Sequence, residues 1–422
     1  MKKHLLIAGI AVLSTSAYAT TTRLQALGQD TTRGSFFIDD NYNVFRNAAY
    51  VNMYKNYTVT EWGMADGNET TGEQQLEGGF FREMGNFAYG VYFNNESDTA
   101  ETISATRAIN GVTLIDITAG GDNSDNFKQS DNAIDLFFGG DMGVQWGARI
   151  QYAKSSDTVS AADAKLANGG TAASSYEREH SAMNISLGAI MGDLAGYANI
   201  GIKNEYLGAG GDANNDGVLD DGEGDADSRS DKLEGTGSIN LGVNYKMGNM
   251  KFYVDYASGG MEHTDATSGS FVNTYDQTQI NVGVGHTHEV SSTARVFSQV
   301  AFVKTDLEWK TSETVTVESS STALPLTIGF EADANSWLTI RGYVAQNLPF
   351  LDSSETTNSA TTGDDNTDTE TKGGESTEFG AGATLNFGKL KIDGVISNGT
   401  GATAEDLRTD LLLSKVAVIY NF

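Results

Sequence analysis

Apolar and polar residues alternate along much of the chain. Every second position between residues 144 and 152 is apolar, and glutamine, glycine or arginine occupies the positions between them. The runs at 239–247, 250–256 and 379–387 have the same period of two. Because successive side chains of a β-strand point to opposite faces, each run predicts a strand with one apolar face and one polar or small face.

Short and long connections alternate between these runs. The short connections contain glycine, asparagine or aspartate, which tolerate hairpin geometry, and they lie at 85–86, 192–193, 248–249, 333–336 and 388–389. The long connections are polar and lie at about 96–131, 154–178, 207–234, 261–274, 306–321, 348–375 and 399–409. This alternation is typical of membrane barrels, which have short periplasmic turns and longer extracellular loops.

The runs and connections together predict the number of strands. We place strand starts near residues 57, 74, 87, 132, 143, 177, 194, 235, 250, 276, 293, 322, 337, 376, 389 and 411. This makes 16 strands, or 14 if one hairpin is not formed. Lipid offers the backbone no hydrogen-bond partner, so membrane strands must pair on both edges and close into a barrel. The predicted fold class is therefore all-β, a transmembrane antiparallel β-barrel whose lumen is wide enough to hold water.

The first residues have the features of a secretory signal peptide. Two lysines follow Met1, the run 5–13 is apolar, and Ala17 and Ala19 fit the small-residue cleavage pattern. The apolar run is shorter than the roughly 20 residues that a transmembrane helix needs. We therefore divide the chain into a signal peptide (1–19), a periplasmic or plug segment (20–56) and the barrel (57–422).

The stretch NVFRNAAYVNMYKNYTVTEWG, residues 43–63, starts without a clear period. It resembles the N-terminal region of the long-chain fatty-acid transporter superfamily, where an Asn-Pro-Ala-Gly turn follows an N-terminal plug. Asn47 and Ala49 match that turn, whereas alanine and tyrosine stand in place of its proline and glycine. The resemblance implies that residues 20–56 fold inside the mouth of the barrel.

A free periplasmic tail is the alternative for residues 20–56, because chain termini that are not tied down are often disordered. Packing inside the barrel is favoured over a free tail by the aromatic and apolar residues Phe36, Phe37, Ile38, Tyr42, Val44 and Phe45.

The C-terminal stretch LLLSKVAVIYNF places Val416, Val418, Tyr420 and Phe422 on one strand face. It resembles the assembly signal of Gram-negative outer-membrane barrels, which implies recognition by the barrel assembly machinery through Phe422. The plan of strands, turns and loops resembles a porin-type major outer-membrane protein. That resemblance implies contact with outer-membrane lipid and lipopolysaccharide, and it leaves a homotrimer open as the oligomeric state.

Composition excludes several classes of function. The chain has no cysteine, so neither disulfides nor thiolate metal sites are available. Its formal net charge of −29 argues against nucleic acid as a partner, because phosphate contacts need lysine and arginine. The histidines after residue 19 stand near no recognisable nucleophile motif, so we expect no enzymatic activity; they are His180, His263, His286 and His288.

The polar faces of the predicted strands are candidates for the lining of a pore. Taken from the alternation, the candidate lining residues are Gln145, Arg149, Gln151, Asn240, Asn244, Lys246, Lys251, Asp255, Arg341 and Asn386. This mixed-charge, amide-rich wall suits passive diffusion of small hydrophilic solutes. A plugged carrier of a hydrophobic solute is the main alternative, and a structural or adhesive surface protein is the third.

One loop carries a complete calcium pattern. The stretch DANNDGVLDDGE, residues 212–223, fits the spacing of an EF-hand calcium loop, with Gly217 at the sharp turn. Its flanks do not have helical periodicity, so we predict a Ca²⁺-binding hairpin rather than a helix-loop-helix sensor. A solvated acidic loop without bound metal is the alternative. The predicted ligands are Asp212, Asn214, Asp216, Val218, Asp220 and Glu223.

Overall fold

The strands close into one antiparallel barrel. The computed structural model describes residues 20–29, 31, 33–63, 75–95, 132–159, 176–209, 230–265, 271–312, 315–358, 367–371, 376–400 and 415–422. Within these ranges the fold is a closed barrel of 16 strands. The short strand β14 (Thr367–Thr371) pairs with the outer part of β13 (Leu338–Asn358), and β15 (Ser376–Phe387) pairs with its inner part, so β14 and β15 share one position in the barrel. The predicted fold class is confirmed.

The other strands follow in chain order around the barrel. They are β1 (Tyr57–Gly63), β2 (Gln75–Met84), β3 (Phe87–Phe93), β4 (Ala133–Asp141), β5 (Gln145–Val159), β6 (Tyr176–Met191), β7 (Leu194–Ala209), β8 (Ser230–Met247), β9 (Met250–Asp265), β10 (Phe271–Ser291), β11 (Ala294–Ser312), β12 (Val315–Asn335), β16 (Leu390–Thr400) and β17 (Lys415–Asn421).

The predicted strand starts agree with the observed ones to within a few residues. The largest difference is at β12, which starts at Val315 instead of near residue 322. The predicted long connection at 306–321 is wrong, because β11 runs to Ser312 and pairs with β12 along this stretch. Serine and threonine dominate the first half of β12, so neither face is apolar and the alternation disappears although the backbone ladder continues.

The last strand closes the barrel against the first. β17 pairs with β1 from Lys415 to Asn421. The backbone amide of Phe422 donates to the Asn56 carbonyl at 3.1 Å, and the Phe422 ring stacks on Phe80 of β2 at 5.4 Å between centroids. The C-terminal aromatic residue therefore lies on the outer surface at the seam, where it extends the pairing of the final strand.

The outer surface of the barrel is apolar. In β8, Leu241 and Val243 are 41% and 51% exposed, whereas Asn240 on the opposite face is 7% exposed. Water-facing surfaces rarely carry apolar patches of this extent, but the outer band of a membrane barrel is apolar and flanked by aromatic girdles. Large aromatic residues on the outer face include Trp62, Phe93, Tyr152, Phe87, Trp337, Phe387 and Phe422.

Short helices precede the first strand. They are α1 (Thr21–Gln25) and two 3₁₀ helices, Asn41–Val44 and Ala48–Asn52. Each begins at a side-chain cap, from Thr20, Asp40 and Asn47 respectively, and such caps satisfy amide groups that a helix start leaves without partners. No helix in the part of the chain that the structure describes is long and apolar enough to cross a bilayer.

Candidate functional site

The described residues of the stretch 20–56, which we call the N-terminal segment, lie within the lumen. They occupy the end of the barrel that carries the short turns, which we call the turn end. Tyr42, Phe45 and Val51 of the segment share a buried apolar cluster with Phe81 of β2 and Phe137 of β4. The rings of Phe45 and Phe137 meet edge to face at 5.4 Å between centroids. The segment is therefore packed against the inner wall and does not hang free.

Three glycines give the segment a flat docking surface. Gly139, Gly147 and Gly188 lie side by side on β4, β5 and β6, in register. A Cβ on Gly147 would lie 2.2 Å from the Ala48 carbonyl oxygen, and one on Gly188 would lie 1.9 Å from Asn47 Oδ1. No side chain fits between wall and segment at this row, which we call the glycine floor.

Asn47 ties the second 3₁₀ helix to the wall. Its Oδ1 accepts from the Ala49 amide at 3.0 Å, and its Nδ2 donates to the Gly196 carbonyl of β7 at 3.1 Å. Asn52, at the other end of this helix, donates to the Trp146 carbonyl of β5 at 2.8 Å. The two residues of the transporter-like turn, Asn47 and Ala49, thus lie on the glycine floor.

A buried network of charges holds α1. Arg23, which is 2% exposed, contacts Asp40 of the segment at 3.0 Å and Glu331 of β12 at 2.8 Å. Glu331 also accepts from Arg295 of β11 at 2.6 Å. On the neighbouring wall, Arg341 contacts Asp393 at 3.2 Å. Because a buried charge without a partner is costly, removal of one member destabilises the others.

A further carboxylate, that of Glu61 in β1, fixes the start of α1. Its Oε2 accepts from the Thr21 hydroxyl at 2.6 Å and the Thr22 amide at 3.2 Å, while its Oε1 accepts from the Thr21 amide at 3.1 Å. A carboxylate is well placed here, because the N-terminus of a helix presents amide donors.

Burial and ion pairing act in opposite directions on the pKa values of Asp40 and Arg23. Burial raises the pKa of Asp40 to about 7, and the attraction of Arg23 only partly offsets it, because Arg23 is shared with Glu331. Burial acts to lower the pKa of Arg23, but Glu331 and Asp40 together keep it raised above its ordinary value. Arg23 is therefore a permanent cation at the centre of the network.

The inner face of β11 is apolar over most of its length. Its inward residues Phe297, Ala301, Val303, Leu307 and Trp309 belong to buried apolar clusters or pack against them. From 297 to 309 this face spans about 40 Å at the usual rise per strand residue. We call this set the β11 stripe.

Aromatic residues of the segment cover the middle of the β11 stripe. Phe36 stacks on Tyr253 of β9 at 3.8 Å and shares a cluster with Ala301. The guanidinium of Arg46 lies 3.8 Å from the centroid of the same Phe36 ring. Toward the loop end, Tyr206, Leu233 and Met261 continue the apolar wall on β7, β8 and β9.

Most of the predicted pore-lining residues are bonded to other residues of the barrel wall or to the segment. Arg149 is buried, donates to Asp135 at 2.7 Å and lies 4.9 Å from the Phe45 ring. Lys251 contacts Asp39 of the segment.

Most of the remaining candidates bond to the wall: Gln151 accepts from Asn184, Asn240 donates to Asp255, Arg341 contacts Asp393, and Asn386 donates to Thr339. Asn244 bonds to Tyr50 of the segment. Gln145 is the first residue of β5, and Lys246 is exposed at the turn end. As the lining of an open pore the set stays a prediction.

The calcium pattern lies outside the described residues, since 210–229 are not among them. Among the described residues, no group of three or more histidines and acids is arranged to hold a metal ion. His180 is buried, bonds to Asn204 and stacks on Tyr206, while His286 and His288 are exposed on the outer face of β10.

Sequence reasoning missed the β11 stripe and the charge network. Residues 300–303 are apolar at every position, a pattern that fits a strand with two apolar faces, and this was the available signal for the stripe. The network has no such signal, because Arg23 and Glu331 are 308 positions apart.

The sheet is closed and its outer surface is apolar, and these two features together identify the fold class. The fold is that of an outer-membrane β-barrel. No family model and no curated protein matches the chain.

Several solved structures are similar in fold. A refined porin is 12% identical, with 87% of this chain and 99% of the porin covered and a TM-score of 0.36. A mutant of the TodX monoaromatic hydrocarbon channel is 9% identical, with 96% and 99% covered and a TM-score of 0.36. The FrpB iron transporter from Neisseria meningitidis is 10% identical, with a TM-score of 0.37. The match covers 85% of this chain and only 65% of FrpB.

Proposed function

We propose that this protein is an outer-membrane transporter that is closed at rest by its N-terminal segment and passes solutes with an apolar body. The observation that carries the proposal is the position of the segment: it fills the turn end of the lumen and covers the β11 stripe with Phe36. An apolar solute that leaves the outer layer of the membrane finds matching surface along this stripe.

The chemistry of the inner wall supports this choice over a plain water-filled pore. Binding sites for apolar solutes are mostly apolar with a few placed polar groups, and the stripe has this composition, with Gln299 and Thr305 between its apolar members. Movement of the segment would be needed for passage, because the glycine floor leaves no gap for a solute beneath the second 3₁₀ helix.

Passive diffusion of small hydrophilic solutes is the second candidate. The wall of β4 to β6 favours it, since Asp135, Gln151 and Asn184 point inward there. In this reading a displaced segment would expose a polar channel.

Uptake by intact cells separates the two candidates. Expressed in a Gram-negative host without hydrocarbon channels, the protein should raise the uptake rate of toluene and leave that of a disaccharide unchanged. Replacing Val303 and Leu307 together by serine should lower the toluene rate severalfold, because it interrupts the stripe. Gln279→Ser, an inward polar change on β10, is the matched control. Faster disaccharide uptake with unchanged toluene uptake would favour the passive channel.

The cellular setting follows from the same proposal. The protein would lie in the outer membrane after cleavage near Ala19, with the short turns in the periplasm and lipopolysaccharide around the loop end. The barrel assembly machinery would engage the final strand through Phe422. We propose no enzymatic role for the protein.

Calcium binding by residues 212–223 is a separate proposal, supported by the completeness of the sequence pattern. Without a cation the carboxylates repel one another, and with Ca²⁺ they become ligands of one centre. Calcium should protect this loop from proteolysis in the wild type, and Glu223→Gln should largely abolish the protection because it removes the bidentate charge. Cleavage at the same rate with calcium and with a chelator would leave only an acidic loop.

A further inference from the structure

A cavity of about 120 Å³ opens at the turn end, between the N-terminal segment and the wall of β8 to β11. Phe37 and Ile38 of the segment and Phe297 of β11 form its apolar side. Phe297 is also the first residue of the β11 stripe, so the apolar wall of the lumen ends in this cavity. An apolar cavity of roughly 150 Å³ holds benzene, so this smaller cavity, which is open on one side, has room for at most a single ring.

Three cations form the other side of the cavity. Lys246 and Lys251 flank the β8–β9 turn, and Arg295 lies at the start of β11. Lys251 Nζ contacts Asp39 Oδ1 of the segment at 2.5 Å. Arg295 is paired with Glu331 at 2.6 Å, and Glu289 is the remaining acid of the lining. The lining therefore carries three positive and two negative charges.

Asp39 lies where these cations converge. Partial burial acts to raise the pKa of its carboxyl, but Lys251, Lys246 and Arg295 together lower it below its ordinary value. Its side chain is 58% exposed, so the carboxylate stands at the open rim of the cavity rather than in the core. The Asp39 carboxylate thus faces the three cations, next to the apolar side of the cavity.

We propose that this cavity binds carboxylates that carry a small apolar body, such as a single ring. The Asp39 carboxylate holds the position of the ligand's carboxylate, and the ring of the ligand lies against Phe37 and Phe297. The site rests on the proposed function, because it lies at the end of the route along the β11 stripe. Displacement of Asp39 would also loosen residues 36–39, which cover that route.

Calorimetric titration of the full-length protein in detergent tests the site, with benzoate as the probe and benzyl alcohol as its uncharged analogue. Benzoate should bind and benzyl alcohol should bind much more weakly. Lys246→Gln should weaken benzoate about fivefold, the size expected for one partly exposed ion pair. Lys389→Gln, an exposed lysine at the β15–β16 turn, is the matched control and should have no effect.

The sharpest variant is Asp39→Asn. It removes the competing carboxylate and frees Lys251, so benzoate should bind about fivefold more tightly. Equal affinity for benzoate and benzyl alcohol, or no change in either variant, would overturn the site. Binding in detergent requires no transport, so failed toluene uptake with intact benzoate binding would contradict only the proposed function.

Discussion

Gly188→Val should displace the second 3₁₀ helix from the wall and convert a closed protein into a conducting one. The new Cβ would lie 1.9 Å from Asn47 Oδ1 and 2.9 Å from the Ala49 amide nitrogen, so the segment and the side chain cannot occupy the same space. Overpacking of this kind costs about 1–3 kcal/mol. The barrel should persist, because valine is favourable in strands, and the helix should yield first, since two side-chain hydrogen bonds tie it to the wall whereas the strands are joined by continuous ladders.

Planar-bilayer recording measures this effect as the share of insertions that show ohmic steps. Gly147→Val should act in the same way, because its Cβ would lie 2.2 Å from the Ala48 carbonyl oxygen. Gly196→Ala is the control: its Cβ would meet nothing closer than 3.6 Å. Recordings of Gly188→Val and Gly147→Val that match the wild type would show that the glycine floor does not hold the segment.

A disulfide between residues 51 and 139 should lock the segment and stop transport. A Cβ on Gly139 would lie 2.5 Å from Val51 Cγ1, the position that a cysteine sulfur would take. In a disulfide the Cβ of one cysteine lies about 3 Å from the sulfur of the other, so the bridge requires the segment to move away from the wall by only about 0.5 Å. The chain has no cysteine of its own, so Val51→Cys with Gly139→Cys can form only this bond.

The effect of this disulfide is measured as the rate of toluene uptake before and after reduction. The oxidised double variant should transport almost nothing, and reduction should restore uptake. Val51→Cys alone should transport at the same rate with and without reductant. Full transport by the oxidised variant, with the disulfide verified by mass spectrometry, would mean that solutes pass without movement of the second 3₁₀ helix.

The barrel could be predicted from the sequence because the pattern that indicates each strand lies within that strand. Each membrane strand must present an apolar face to lipid, so the period of two appears directly in runs such as 239–247. The prediction failed where this constraint ends. Residues 315–322 extend a strand beyond the apolar band, where serine and threonine interrupt the alternation and the backbone pairing continues.

The site depends on contacts between residues that are far apart in the sequence. Gly139, Gly147 and Gly188 form one floor only because the pairing of β4, β5 and β6 puts them in register. In the sequence they are small residues among many, since the chain has 49 glycines. The transporter-like turn at Asn47 indicated where the segment would lie, but the wall that receives it emerges only from the closed sheet.

The polar lining was predicted as a wall for water, and the structure shows why alternation alone could not decide its role. Arg149 and Lys251 point inward as expected, but Arg149 is paired with Asp135 of the adjacent strand and Lys251 with Asp39 of the segment. A polar inward residue looks the same in the sequence whether it faces water or a packed plug. Only the tertiary contact separates these cases.

Single-channel recording of the wild-type protein in planar bilayers tests whether the N-terminal segment closes the barrel. Most inserted molecules should show no steady current, because the segment fills the turn end of the lumen and is held by the glycine floor and the Arg23 network. Large, steady ohmic steps from the wild type would contradict this prediction and would mean that the segment does not close the barrel.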